Sequence, residues 1–186
     1  MNKTARTGHL PAFLLCLSIF VLASCVSTPA KTIPASGPLN AETAMNKLVQ
    51  DLLVTLPSPL RLGIDDFYLG NARKTALGRY LGQYFLTALV NQGGGSITPV
   101  ERQRLDAALA ESNYNLGQLV QDPGKFSQVG AFLPAQAIAT ATMTALSDRV
   151  TVNLRVFSVA TGEVIGAASV SIIRTADIDS MIPPVL

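Results

Sequence analysis

The sequence has no tryptophan, one histidine and two cysteines. His9 and Cys16 lie in the first 24 residues, so residues 25 to 186 carry no histidine and only Cys25 as a thiol. That stretch cannot build a Ser-His-Asp or Cys-His catalytic group, a zinc site of histidine and cysteine ligands, or an internal disulfide. Charged residues are also sparse, at 14% of the chain. Of the 14 Lys and Arg, Lys3 and Arg6 precede residue 24, which leaves 12 basic against 12 acidic residues behind it. Phosphate recognition needs clustered Lys and Arg. No such cluster occurs, so no nucleic-acid partner is expected. The chemistry left open rests on carboxylates, lysine or Mg²⁺, and no cofactor is expected. No internal repeat is present.

What is present begins with a positive, acid-free N-terminus and then an apolar run, "LPAFLLCLSIFVLA", from Leu10 to Ala23. This is the layout of a secretory signal peptide, and the run is shorter than the roughly 20 residues a spanning helix needs. Small residues stand just before Cys25. The sequence Leu22-Ala23-Ser24-Cys25 resembles the lipobox of bacterial lipoproteins. That resemblance implies cleavage before Cys25, a diacylglycerol on its thiol and acylation of the new amine. Two or more acyl chains anchor stably where one is marginal. Residues 1–24 are then a lipoprotein signal peptide. Residues 25–39 are the lipidated cysteine and a Pro/Ser/Thr linker, and 40–186 a periplasmic domain. The 14 linker residues would span about 20 Å as a flexible coil. Val26 follows the cysteine; the lipoprotein sorting rule marks inner-membrane retention with Asp there, so the outer membrane is implied.

Within the domain, apolar periodicity predicts helices over 40–54, 75–91 and 101–112, with Asn40 capping the first. Alternation predicts a strand over 60–67, a short strand over 96–100, and three β-branched strands joined by turns at "LSD" and "ATGE". Short helical pieces are expected in 113–133. The "SMIPPVL" tail is apolar and reads as packing on a neighbour. The fold class is α/β: a mixed sheet of about five strands with packed helices and a C-terminal antiparallel three-strand meander. Leu77, Leu81, Phe85, Leu89, Leu105, Leu109, Val152, Leu154 and Val156 are the expected core, with Tyr80 and Tyr84 beside them. Gly78 and Gly82, four apart, suggest a helix packed closely on the sheet. The "GGGS" stretch has neither the spacing nor the Lys-Ser/Thr pair of a phosphate loop.

Candidate chemistry is thin. Asp65 and Asp66 are the one adjacent pair of acids in the domain. Neighbouring strand residues point to opposite faces, so the two carboxylates are expected to part, in a polar turn that ends the strand. Glu101-Arg102-Gln103-Arg104 reads as the solvated first turn of a helix, with Glu101 favoured by the helix dipole.

The stretches "LRLGIDDF", "TALGRYLGQYFLTALVNQ", "VERQRLDAALAE" and "VTVNLRVFSVATGEVI", in this order, resemble the CsgG/FlgO-type domain of outer-membrane lipoproteins. With the "LNAETAMNKLVQDLL" helix ahead of them, they are more similar to the FlgO family than to the curli secretion channel CsgG. The resemblance covers about residues 40 to 174. It implies a non-enzymatic structural or assembly lipoprotein, anchored in the outer membrane and facing the periplasm, that supports flagellar organisation and motility. It brings no catalytic residues. The implied partners are the outer membrane and other proteins, flagellar accessory lipoproteins among them, and a homo-oligomer is compatible. Two alternatives stand beside it: a CsgG-like secretion-channel component, and a lipoprotein activator of a periplasmic cell-wall synthase. A channel subunit needs several strands of about 9–11 residues to cross the membrane, and here each alternating segment is already used in the globular sheet.

The anchor is testable directly. Metabolic labelling with a palmitate analogue should tag the wild-type chain and leave Cys25→Ala unlabelled; equal labelling of the variant would remove Cys25 as the lipidation site.

Overall fold

Asn40 opens the first helix as expected. Its side chain accepts from the Thr43 N–H at 2.8 Å, which satisfies a donor the first turn leaves unpaired. From there α1 (Ala41–Leu53) buries Ala44, Met45, Leu48, Val49 and Leu52 along one face. The structure is a computed structural model that describes residues 37–70, 73–100, 102–111, 113–114 and 116–183, all within the unit Ala35–Leu186. The signal segment, Cys25, most of the linker, Glu101 and the last three residues lie outside the described residues.

Among the described residues, six strands form one sheet: β1 (Leu60–Leu69), β2 (Arg73–Lys74), β3 (Ile97–Val100), β4 (Ala137–Ala145), β5 (Arg149–Ser158) and β6 (Val164–Ile173). The order is β2-β1-β4-β5-β6, and β3 pairs in parallel with the first half of β1. β1 and β4 are parallel, joined by a long helical crossover, while β4, β5 and β6 make the antiparallel meander. The expected mixed sheet is therefore present. Its additional strand is the two-residue β2, too short to leave a periodic signal. Gly162, at a φ of 75°, makes the turn between β5 and β6, a conformation glycine adopts without steric cost.

The long helix α2 (Ala76–Gly93) is capped by Thr75, whose side chain accepts from the Gly78 N–H at 3.0 Å, and ends at Gly94 in the left-handed region. With α1 it covers one face of the sheet. There Leu77, Leu81, Phe85 and Leu89 meet Phe67, Val152, Leu154 and Val156. Tyr80 and Tyr84 stack edge to face, with ring centroids 4.9 Å apart, at the half-buried rim of this core. α3 (Arg102–Glu111), α4 (Leu116–Gln121), a 3-10 turn (Pro123–Lys125) and α5 (Phe126–Val129) cover part of the opposite face. Leu105, Leu109, Leu119 and Phe126 pack there on Ile138 and Phe157 as a second apolar cluster. The nine expected core residues are all buried, but they divide between two clusters on opposite faces of the sheet.

The chain enters this unit at Leu39. Its N–H donates to Ser171 and its carbonyl accepts from Ile173, both at 2.8 Å, so the linker joins at the C-terminal end of β6. The tail packs on the first cluster through Met181 and Ile182, after a short helix α6 (Ala176–Ser180) that buries Ile178. Five residues of "ADIDS" are too few for a periodic signal. Among the described residues, no helix is long and apolar enough to cross a membrane.

The two helical glycines separate. A methyl group on Gly78 would strike the Phe67 carbonyl oxygen, so this glycine is what lets α2 sit down on β1. A methyl group on Gly82 would meet nothing within 4 Å; the close-packing expectation holds for Gly78 and fails for Gly82. Gly78→Ala should therefore destabilise by about 1–3 kcal/mol, because a backbone atom cannot move aside cheaply. Gly82→Ala should stabilise by about 0.5–1 kcal/mol through helix propensity. Thermal melts of the two variants should shift in opposite directions, and a shift of the same sign would contradict this helix placement.

Candidate functional site

The two acids at 65 and 66 lie inside β1, which runs three residues past them to Leu69. The register between β1 and β4 slips between Ile64 and Phe67, where a β-bulge interrupts the ladder. A bulge leaves one residue unpaired and breaks the two-residue alternation. The two carboxylates consequently turn to the same cation. Nη1 of Arg102, the first residue of α3, stands 3.1 Å from Oδ1 of Asp65 and 2.9 Å from Oδ1 of Asp66. Its Nε reaches Asp106, one helical turn on, at 3.2 Å. This corrects two expectations. The carboxylates converge where strict alternation would part them, and Arg102 holds the bulge instead of standing in solvent. Glu101, beside it, is outside the described residues.

Further contacts close the cluster. Lys74 of β2 pairs with Asp66 at 2.7 Å. The Asp66 N–H donates to Asp65 at 2.7 Å, and the Tyr68 hydroxyl donates to both Asp65 oxygens at 3.0 and 3.1 Å. Asp65 is buried, and burial pushes its carboxyl up against the opposing pull of the Asp66 amide, Arg102 and Tyr68. Burial also acts on Asp66, but Lys74 and Arg102 outweigh it and hold that carboxyl below its usual range. Burial and the neighbouring Asp65 push the Tyr68 phenol well up. Burial opposes the charge on Arg102, yet the surrounding carboxylates raise its pKa further. Asp65 is encircled by donors that already use its oxygens, which leaves it poorly placed as a general base. Among the described residues no three carboxylates, histidines or cysteines converge as a metal site.

Beside the cluster runs a groove of about 500 Å³. One wall is the outer face of α2, with Arg79, Gly82, Gln83, Leu86 and Val90; the other is Ile64 to Asp66, Pro99, Val100 and Arg102. It lies along the edge of β1 that β3 and β2 leave open between Gly63 and Tyr68. A smaller hollow of about 220 Å³, lined by Phe67, Lys74 and Thr75, shares Asp66 and Arg79 with it. The sequence offers one signal for the groove, the glycine at 82 on an otherwise broad apolar helix. Its other wall comes from β1, β3 and the start of α3, on either side of α2 in the chain, and has no local signature.

Three comparisons bear on this arrangement. The FlgO protein family matches residues 42–177, from the first turn of α1 to the first turn of α6. No curated protein matches the chain in sequence. Among solved structures, the LpoB C-terminal domain from Escherichia coli is 17% identical with a TM-score of 0.59, and that from Salmonella enterica 18% identical with a TM-score of 0.57. Each match covers 72% of this chain and 98% of the other. The NMR structure of E. coli LpoB, 16% identical with a TM-score of 0.55, covers 94% of this chain and 84% of that one. At these identities the likeness establishes a shared fold.

Removing the clamp should leave two carboxylates facing each other, one of them buried. Breaking a buried pair by removing one partner costs about 3–5 kcal/mol, and partial exposure of Arg102 reduces this. We expect Arg102→Ala to lose about 2 kcal/mol or more. The sign with pH follows from Asp65. Without the cation its folded pKa rises further above the unfolded value. Such an acid imposes no penalty below its unfolded pKa and its full penalty above the folded one. Urea unfolding should therefore show a larger gap between variant and wild type at pH 7 than at pH 4; a gap that widened on acidification would contradict the assignment.

Proposed function

The chain belongs to the FlgO family, and on that premise we propose that it is a lipid-anchored envelope protein that works by presenting a binding surface and catalyses no reaction. The observation that carries this reading is the extent of the match: it takes in the folded unit from α1 to α6, so the whole domain is the family's domain. In this reading Cys25 carries the lipid, the outer membrane holds it, and the domain faces the periplasm. Its role is the one the resemblance implies, support of flagellar organisation and motility. The non-enzymatic part is supported by the Asp65–Asp66 pair, whose carboxylates are taken up by Arg102, Lys74, Tyr68 and a backbone N–H. A channel role is less well supported, because each described strand is engaged in the one sheet.

Genetic complementation tests the proposal. Deleting the gene in a flagellated host should impair motility or leave flagella poorly held. The wild-type chain should restore motility, Cys25→Ala should not, and Asp66→Asn, checked for folding and location, should restore it nearly in full. Undisturbed motility on deletion would remove the flagellar role. Loss of function in a folded, correctly placed Asp66→Asn would remove the non-enzymatic reading.

A further inference from the structure

We propose that the groove beside α2 is a docking site for a segment of a partner protein that carries an apolar side chain and, about three residues away, a carboxylate. The proposal rests on the reading above that the protein acts by binding, and it names the chemistry of what is bound.

The groove has two chemically different ends. From Arg79 to Val90 the helix advances about 16 Å. At the far end Leu86, Val90, Pro99 and Ile64 form an apolar wall, and Val90 is 57% exposed. At Gly82 the floor is open, since even a methyl group there would touch nothing. At the near end Arg79 is exposed and has no ion-pair partner among the described residues. The acids beside it are already committed, Asp65 and Asp66 to Arg102, and Asp66 also to Lys74. Among the described residues that line the groove, an incoming cation finds no free carboxylate, whereas an incoming carboxylate finds Arg79. Complementary charge of this kind selects partners and orients them.

The spacing follows from the helix. Arg79 and Leu86 are seven residues apart, about 10 Å along the axis, which an extended chain covers in about three residues. Recognition should come through side chains. Pro99 withholds an N–H from β3, the outer strand at this edge, and proline there disfavours the addition of a further strand.

Peptide display against the full chain, held in detergent micelles, tests the proposal. Enriched peptides should share Leu, Ile or Phe with Asp or Glu about three positions away. Binding of the best synthetic peptide should fall at least about tenfold, or 1.4 kcal/mol, with Arg79→Glu and with Val90→Asp. It should stay unchanged with Arg155→Glu, an exposed arginine on the uncovered part of the sheet. Thermal melts confirm that each variant is folded. Enrichment of basic peptides, no enrichment over micelles alone, or binding indifferent to Arg79→Glu and Val90→Asp would overturn the proposal. So would binding of the chain to phosphatidylglycerol vesicles, lost with Arg79→Glu, in the absence of any peptide binding. A motility result against the flagellar role would leave these outcomes standing, so the two failures can be told apart.

Discussion

One guanidinium organises the part of the molecule where the sheet is irregular. Arg102 meets Asp65 and Asp66 at once, and it does so because β1 bulges between Ile64 and Phe67. Without a cation, two adjacent acids, one fully buried, would oppose this conformation. With it, the bulge is held, and α3 is fixed at its first residue over Gly63. There Leu105 approaches so closely that a methyl group on the glycine would have to displace it. The atoms that would have to move are the methyl ends of Leu105 and Ile138. The ion cluster and the apolar contact thus act on the same helix from neighbouring positions.

The sheet distributes its faces unequally. α1 and α2 cover the face that carries Phe67, Val152, Leu154 and Val156, and the resulting core is continuous. On the opposite face α3 to α5 reach only as far as Ile138 and Phe157. Beyond them Thr142, Thr144, Asn153, Arg155, Ala167 and Ser169 stand exposed. Ser169 donates to Asn153 at 2.9 Å across the strands, so part of this surface satisfies its own polar groups. An antiparallel meander can leave one face to water in this way. The linker joins at the end of β6 that carries Leu39, while the groove lies on the other side of β1.

The elements most legible in the sequence are those whose side chains repeat with one period. α1, α2, β5 and β6 fall where their apolar residues predict, because each buries mainly one face over ten or more residues. The Asp pair was not legible for a physical reason: alternation is a rule about regular ladders, and a bulge suspends it without any marker in residue type. The partner that makes the bulge tolerable, Arg102, stands 36 positions later, in a segment whose charges read as a solvated helix start. Short elements were lost in the same manner. β2 and α6 have two and five residues, too few for a pattern to recur along either.

The two glycines of α2 show how the groove arises from backbone geometry. At Gly78 the helix backbone comes down against the Phe67 carbonyl, at a distance no other residue would permit. Four residues on, along the same side of the helix, Gly82 finds open space. Helix and strand backbones therefore touch at Gly78, while at Gly82 the flank of α2 is open even though Leu81, Phe85 and Leu89 stay packed on the sheet. The groove on that flank is lined by Leu86 and Val90 from the helix and Pro99 from β3. A larger residue at 82 would partly fill the opening without touching the contact at 78. The same small side chain, repeated one turn apart, closes the interface at one position and keeps it open at the next. The groove is bounded at one end by the ion cluster, whose acids are paired, and by Arg79, which has no ion-pair partner among the described residues.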